Sequence, residues 1–195
     1  GEAVPDDPEG AWDFGHGAGF YLDATQPPYD RHYRMESYLL EELLPLVMER
    51  FPIIHGPCGL SGHSMGGHGA LTLGIKYPER FASLSAFAPI CAPSKVPWGK
   101  KAFSCYLGDD EEKWQQFDAT CLVQSYGYQG DILLDQGEED AFLATQLGTP
   151  QFQQACERSE VSLRCRFHKG YDHSYFFIAT FMAEHLRFHR QRCMR

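Results

Sequence analysis

The stretch that most constrains the fold is Cys58-Gly59-Leu60-Ser61-Gly62-His63-Ser64-Met65-Gly66-Gly67-His68-Gly69-Ala70, where a short apolar run breaks into glycine around one serine and then turns helical. The run before the serine reads as a buried strand. Met65 to Tyr77 reads as a helix with small residues in its first turns, stopped by Pro78. A serine hydroxyl is a poor nucleophile, so a reactive one must be held rigidly at a tight strand-to-helix turn. Glycines there let neighbouring backbone approach, and the helix N-terminus favours developing negative charge. Gly62-x-Ser64-x-Gly66 therefore makes Ser64 a candidate nucleophile and the backbone N–H of Met65 a candidate oxyanion donor. The bland alternative is a glycine-rich turn that only joins strand to helix.

A serine of this kind needs an imidazole and a carboxylate, which in the doubly wound hydrolase architecture follow in the order serine, acid, histidine. The acid comes from Asp131-Ile132-Leu133-Leu134-Asp135-Gln136-Gly137-Glu138-Glu139-Asp140, a strand-like core ending in an acidic glycine turn. Asp140 is favoured over Asp135, because a residue in the loop beyond the strand can reach a histidine on the neighbouring loop. The histidine is His173: it follows the alternating strand around Val161 to Phe167, after Gly170, and opens an apolar helix from Tyr175 to about His189. His16, His32, His55, His185 and His189 read as surface or satisfied polar positions. His63 and His68 flank the nucleophile on its own segment, and Asp172, adjacent to His173, reads as structural.

A chain of 195 residues, 43% hydrophobic, is long enough for one domain with a sizeable core. Its net charge of −9 argues against nucleic acid and anionic membrane surfaces as partners. Seven cysteines with no Cys-x-x-Cys pair, no signal peptide and no apolar stretch of membrane-spanning length fit reduced thiols in the cytoplasm. No His-Glu-x-x-His or paired-cysteine spacing appears, so neither a metal nor another cofactor is expected.

Along the chain, the first 35 residues contain no convincing strand, and Trp12 to Tyr21 reads as loop. Glu36 to Phe51 follows as an amphipathic helix, apolar at Leu39, Leu40, Leu43, Leu44 and Val47, with a kink at Pro45. Four parallel strands are expected near residues 58–61, 82–87, 131–135 and 162–167, flanked by helices. The expected class is therefore an α/β-hydrolase fold. The whole of 1–195 is expected to be the C-terminal portion of one such domain, because strands that would ordinarily precede the nucleophile are missing.

Trp12-Asp13-Phe14-Gly15, Gly17-Ala18-Gly19-Phe20-Tyr21, Tyr33-Arg34-Met35, Gly62 to Leu71, Ser85 to Cys91, Pro97-Trp98-Gly99-Lys100-Lys101-Ala102-Phe103, Asp135-Gln136-Gly137 and Gly170 to Tyr175 together resemble the S-formylglutathione hydrolase (esterase D) family. The resemblance runs from Trp12 to about His189. It implies a cytosolic enzyme that hydrolyses the thioester S-formylglutathione to glutathione and formate in formaldehyde detoxification, with side activity on small carboxylic esters. It also implies a triad of Ser64, Asp140 and His173, and often a homodimer. Trp98, Lys100, Lys101 and the Trp12–Tyr21 loop are candidates for recognising glutathione, taken as loop residues. Two rival readings are a truncated, non-catalytic relative serving as a binding or dimerisation partner, and a carboxylesterase for other small esters.

Overall fold

The computed structural model describes residues 3–52 and 56–193 of the chain, so His55 lies outside the described residues. Its centre is a sheet of four strands, β1 (Cys58–His63), β2 (Phe81–Phe87), β3 (Asp131–Gly137) and β4 (Leu163–His168), in the order β1-β2-β3-β4 with every neighbouring pair parallel. All four follow the sequence expectation, differing only at their ends. The helices are α1 (Met35–Ser37), α2 (Leu44–Arg50), α3 (Met65–Lys76), α4 (Pro97–Leu107), α5 (Glu111–Trp114), α6 (Ala119–Tyr126), α7 (Thr149–Arg158) and α8 (Tyr175–Cys193). Among the described residues, no helix is long and apolar enough to cross a membrane.

The kink expected at Pro45 takes the form of a π-helical turn, Tyr38–Leu43, that joins α1 to α2. Proline lacks an N–H, and in a regular helix its ring would strike the carbonyl of Glu41; the wider turn relieves both problems.

The two faces of the sheet differ in chemistry. On one, Leu84, Ala86, Ile132 and Leu134 meet the apolar sides of α3, α6 and α7, including Leu71, Leu73, Leu122, Val123 and Phe152. Glycine at position 74 lets α3 lie this close, since a Cβ there would sit 2.0 Å from a methyl of Leu84. The face under α8 is polar. Ser83 Oγ and Ser85 Oγ lie 2.8 and 2.7 Å from the two ring nitrogens of His189, and Ser85 donates to Ser61. Asp135 is gripped by both Nε and Nη2 of Arg166, each at 2.6 Å, with His185 Nε2 at 3.2 Å. Arg192 Nε bonds Asp131 at 2.7 Å.

Among its described residues the N-terminal segment carries no strand, but a 3-10 turn at Tyr29–Arg31 and an isolated antiparallel bridge between Asp23 and Arg34. Yet Phe14, Phe20, Leu22, Tyr29 and Tyr33 are buried, packing with Phe103 and Tyr106 of α4 and with Phe87 and Ile90 to form a second core beyond the C-terminal ends of the strands. One expectation needs correction. Trp98, Lys100 and Lys101 lie on α4 and not in a loop, because Pro97 occupies the first helical position, where its missing N–H costs nothing. Lys101 Nζ is engaged by Asp7 at 2.7 Å and Asp13 at 3.3 Å, which ties the N-terminal segment to α4.

Burial makes this fold acid-sensitive. It is the main cause that lowers His68 and His189 from 6.5 to about 4. The unfolded chain therefore takes up protons below about 6.5 that the native state refuses until about 4, so stability is complete above the first value and falls as pH drops toward the second. For the fully buried His68 this amounts to roughly 3 kcal/mol. We expect the melting temperature to drop steeply between pH 6.5 and 4.5, and His189→Asn to flatten that slope. Differential scanning calorimetry across the range checks it; an unchanged slope in the variant counts against His189.

Candidate active site

Ser64 stands between β1 and α3 with φ 56° and ψ −117°, a conformation that L-residues avoid. Its N–H donates to the carbonyl of Phe87 at the end of β2 (2.9 Å), and its carbonyl accepts from the N–H groups of His68 (2.9 Å) and Ile90 (3.2 Å). The strained residue is thus clamped by its own helix and by the neighbouring strand end. Strain of this kind costs about 1–3 kcal/mol and persists only where its surroundings over-determine it. Glycine at 62 is obligatory for the same turn, because a Cβ there would lie 2.0 Å from the carbonyl oxygen of Gly66. Met65 begins α3, so its N–H has no intrahelical acceptor and is free to meet an anion.

Asp140 lies in the turn after β3 and is buried. Its Oδ2 is 2.6 Å from Nδ1 of His173 and accepts from Gln136 Nε2 (3.0 Å), while Oδ1 accepts from the N–H of Phe142 (2.8 Å). Gln136 is itself fixed by the hydroxyl of Thr149 at 3.1 Å. Burial alone would raise the Asp140 pKa, but the bond from His173, with those from Phe142 and Gln136, holds it below the ordinary carboxylate value. Asp140 is therefore an anion that can fix one histidine tautomer and stabilise its protonated form.

His173 follows Gly170 and β4, in the loop that opens α8. Its ring is 4.5 Å from the ring of His63, the residue immediately before Ser64, and 5.0 Å edge-on from Phe142. This places the candidate base against the end of the strand that leads into Ser64. The other acids near this chemistry are occupied: Asp135 faces α8 and binds Arg166, and Asp172 accepts from the N–H of Ser174 (2.8 Å) in a local turn. His68 is buried and its Nε2 lies 3.0 Å from the carbonyl of Phe20.

Sequence reasoning missed Gln136, Thr149, Phe142 and the approach of His63 to His173. Only Gln136 left a signal, as a polar residue buried inside an apolar strand. Trp98 stands 4.7 Å from Phe142 and edge-on to Trp12 at 5.2 Å, making an aromatic row that ends at His173; Lys100 is exposed on α4. Two cavities flank the elbow. One of about 560 Å³ is lined by Tyr21, Leu39, His63, Ser64 and Gly69, the other of about 270 Å³ by Phe20, Tyr21, Tyr33 and Met65. An elbow serine, a free helix N-terminal N–H and a carboxylate-oriented imidazole are the parts that acyl transfer through a covalent intermediate requires.

Residues 1–188 match the model of the Esterase family. The S-formylglutathione hydrolase of Mus musculus is 54% identical over 181 residues, which are 92% of this chain and 64% of that protein. The S-formylglutathione hydrolase of Paracoccus denitrificans is 47% identical over 192 residues, 98% of this chain and 68% of that protein. The solved structure of an S-formylglutathione hydrolase from Agrobacterium tumefaciens superposes with a TM-score of 0.95 at 46% identity, covering 99% of this chain and 69% of that one. The chain thus spans about two thirds of the length of these relatives.

The strain at Ser64 can be measured. Ser64→Gly removes the side chain that the backbone angles penalise, whereas Ser64→Ala keeps a Cβ in the same conformation. Against the greater unfolded-state freedom of glycine, we expect the glycine variant to be more stable than the alanine variant by about 1 kcal/mol in denaturant titrations. Equal or lower stability of the glycine variant would show that the elbow stores no such strain.

Proposed function

The chain belongs to the Esterase family and, within it, to the S-formylglutathione hydrolases, and on that premise we propose that it hydrolyses S-formylglutathione to glutathione and formate through a formyl ester on Ser64. The observation that supports this most directly is the 2.6 Å contact between Asp140 and His173 beside a strained elbow serine. In the first step His173 removes the Ser64 proton as Oγ bonds to the formyl carbon, and the carbonyl electron pair moves onto oxygen, where the N–H of Met65 receives it. Collapse of that tetrahedral species breaks the carbon–sulfur bond. Glutathione takes the proton from the imidazolium as it leaves, which returns His173 to its neutral form. Water, deprotonated by His173, then attacks the formyl ester and releases formate, returning the proton to Ser64. Asp140 holds the imidazole in one tautomer and offsets its charge throughout.

Trp98 and the exposed Lys100 are the proposed contacts for the glutathione portion; Lys101 is already engaged by Asp7 and Asp13. The same steps act on small carboxylic esters, so a carboxylesterase side activity is expected. The thioester substrate assigns the reaction to glutathione-dependent formaldehyde detoxification. A cytoplasmic setting suits the seven free cysteines.

Ser64→Ala is expected to remove turnover and labelling by a fluorophosphonate while leaving the melting temperature close to that of the parent. Asp140→Asn should lower kcat by roughly three to four orders of magnitude through the wrong tautomer. kcat/KM should rise with pH through the range in which histidine loses its proton. Normal turnover by Ser64→Ala removes Ser64 from the nucleophile role. Faster turnover of an aryl acetate than of S-formylglutathione would reassign the substrate class.

A further inference from the structure

His63 takes no part in the chemistry above, yet no ring lies nearer to the base among the contacts of His173. Its imidazole stands 4.5 Å from that of His173 at an interplanar angle of 45°, and Phe142 meets His173 edge-on at 5.0 Å. With Nδ1 held by Asp140, these two rings leave the base little room to turn about its side-chain bond. His63 is also one peptide bond from Ser64, so the side chain that spaces the base is carried by the strand end that presents the nucleophile. The titratable groups facing His63 are His173 and Asp140 on their loops and, at 6.3 Å, the ring of Tyr175 on α8.

We propose that His63 is a positioning residue for the reaction assigned to Ser64, Asp140 and His173: its neutral ring, with Phe142, confines the base in the orientation that meets Asp140, and no positive charge is tolerated at position 63 while His173 is protonated. The proposal rests on that triad. Two like charges 4–5 Å apart in a half-buried site oppose one another strongly, so a cation at 63 would destabilise the imidazolium that every turnover creates. Burial, followed by the nearness of His173, holds His63 down at about 4, which keeps it uncharged near neutral pH.

The test compares His63→Ala, His63→Phe and His63→Lys for kcat, KM, the pH dependence of kcat/KM, fluorophosphonate labelling and melting temperature. His63→Ala should lower kcat by about 10- to 100-fold with KM little changed, the scale expected when a reacting group loses its alignment. His63→Phe, a neutral ring of similar size, should recover most of that loss. His63→Lys should move the acid limb of kcat/KM to lower pH by about one unit or more, because a neighbouring cation disfavours protonated His173. A parent protein labelled at Ser64 whose Ala and Lys variants keep the parental kcat and acid limb overturns this proposal alone. So does His63→Phe falling as far as His63→Ala. A parent protein that cannot be labelled at Ser64 overturns the proposal together with the triad. Should the lysine variant not fold, the Ala and Phe pair carries the decision, since neither buries a charge.

Discussion

One backbone conformation governs the site: Ser64 held at a positive φ between a strand and a helix. It is sustained by groups from elsewhere in the fold, the carbonyl of Phe87 and the N–H of Ile90, so the elbow exists only because β2 lies parallel to β1 and ends level with it. Ala88, just past the end of β2, also has a positive φ (42°) and gives its N–H to the carbonyl of Asp135 on β3. Phe20 and Tyr21, which pack against the start of α3, repeat the pattern at 50° and 51°, with His68 on the Phe20 carbonyl. Unfavourable backbone is thus concentrated around the serine and is offset by the two apolar cores on either side.

Asp135 and Asp140 show how environment assigns roles to like residues. They are five positions apart and both buried. Asp135 points under α8, where burial opposes ionisation but His185 and Arg166 outweigh it and hold the carboxyl at about 2. Its charge is locked in a structural pair. Asp140 lies past the strand end, where its strongest partner is a histidine that can gain and lose a proton. The same carboxylate chemistry serves packing in one place and the orientation of an imidazole in the other.

Much of this was legible in the sequence because the responsible signals are local. β1 to β4 announce themselves as short apolar runs bounded by glycine or acids, and the Gly62–Gly66 pattern marks a turn in which position 62 has room for glycine alone. The order serine, acid, histidine singled out three candidates from separate segments, of which Asp140 and His173 meet at 2.6 Å. What escaped notice depends on contacts between distant segments. Residues 3–35 show no periodicity because they form neither strand nor long helix; they cover the ends of the strands with Phe14, Phe20 and Tyr29, whose burial follows from where α4 lies. Trp98, Lys100 and Lys101 read as loop residues because α4 opens with proline and glycine, signals shared with turns. Thr149 supports Asp140 only through Gln136, a relation that spacing along the chain cannot express.

The polar seam between α8 and the sheet has a mechanical consequence. A greasy helix can slide or roll on a greasy sheet at little cost, but His189 seated between Ser83 and Ser85, and Arg192 on Asp131, act as notches that admit a single setting. Rotating α8 by one residue would turn these groups by about 100° and unseat all of them together. His173 sits just ahead of the first turn of α8, so its height above the sheet is indexed by histidine and arginine teeth some 24 Å along the helix axis. The far end of α8 thereby works as the adjusting screw of the mouth.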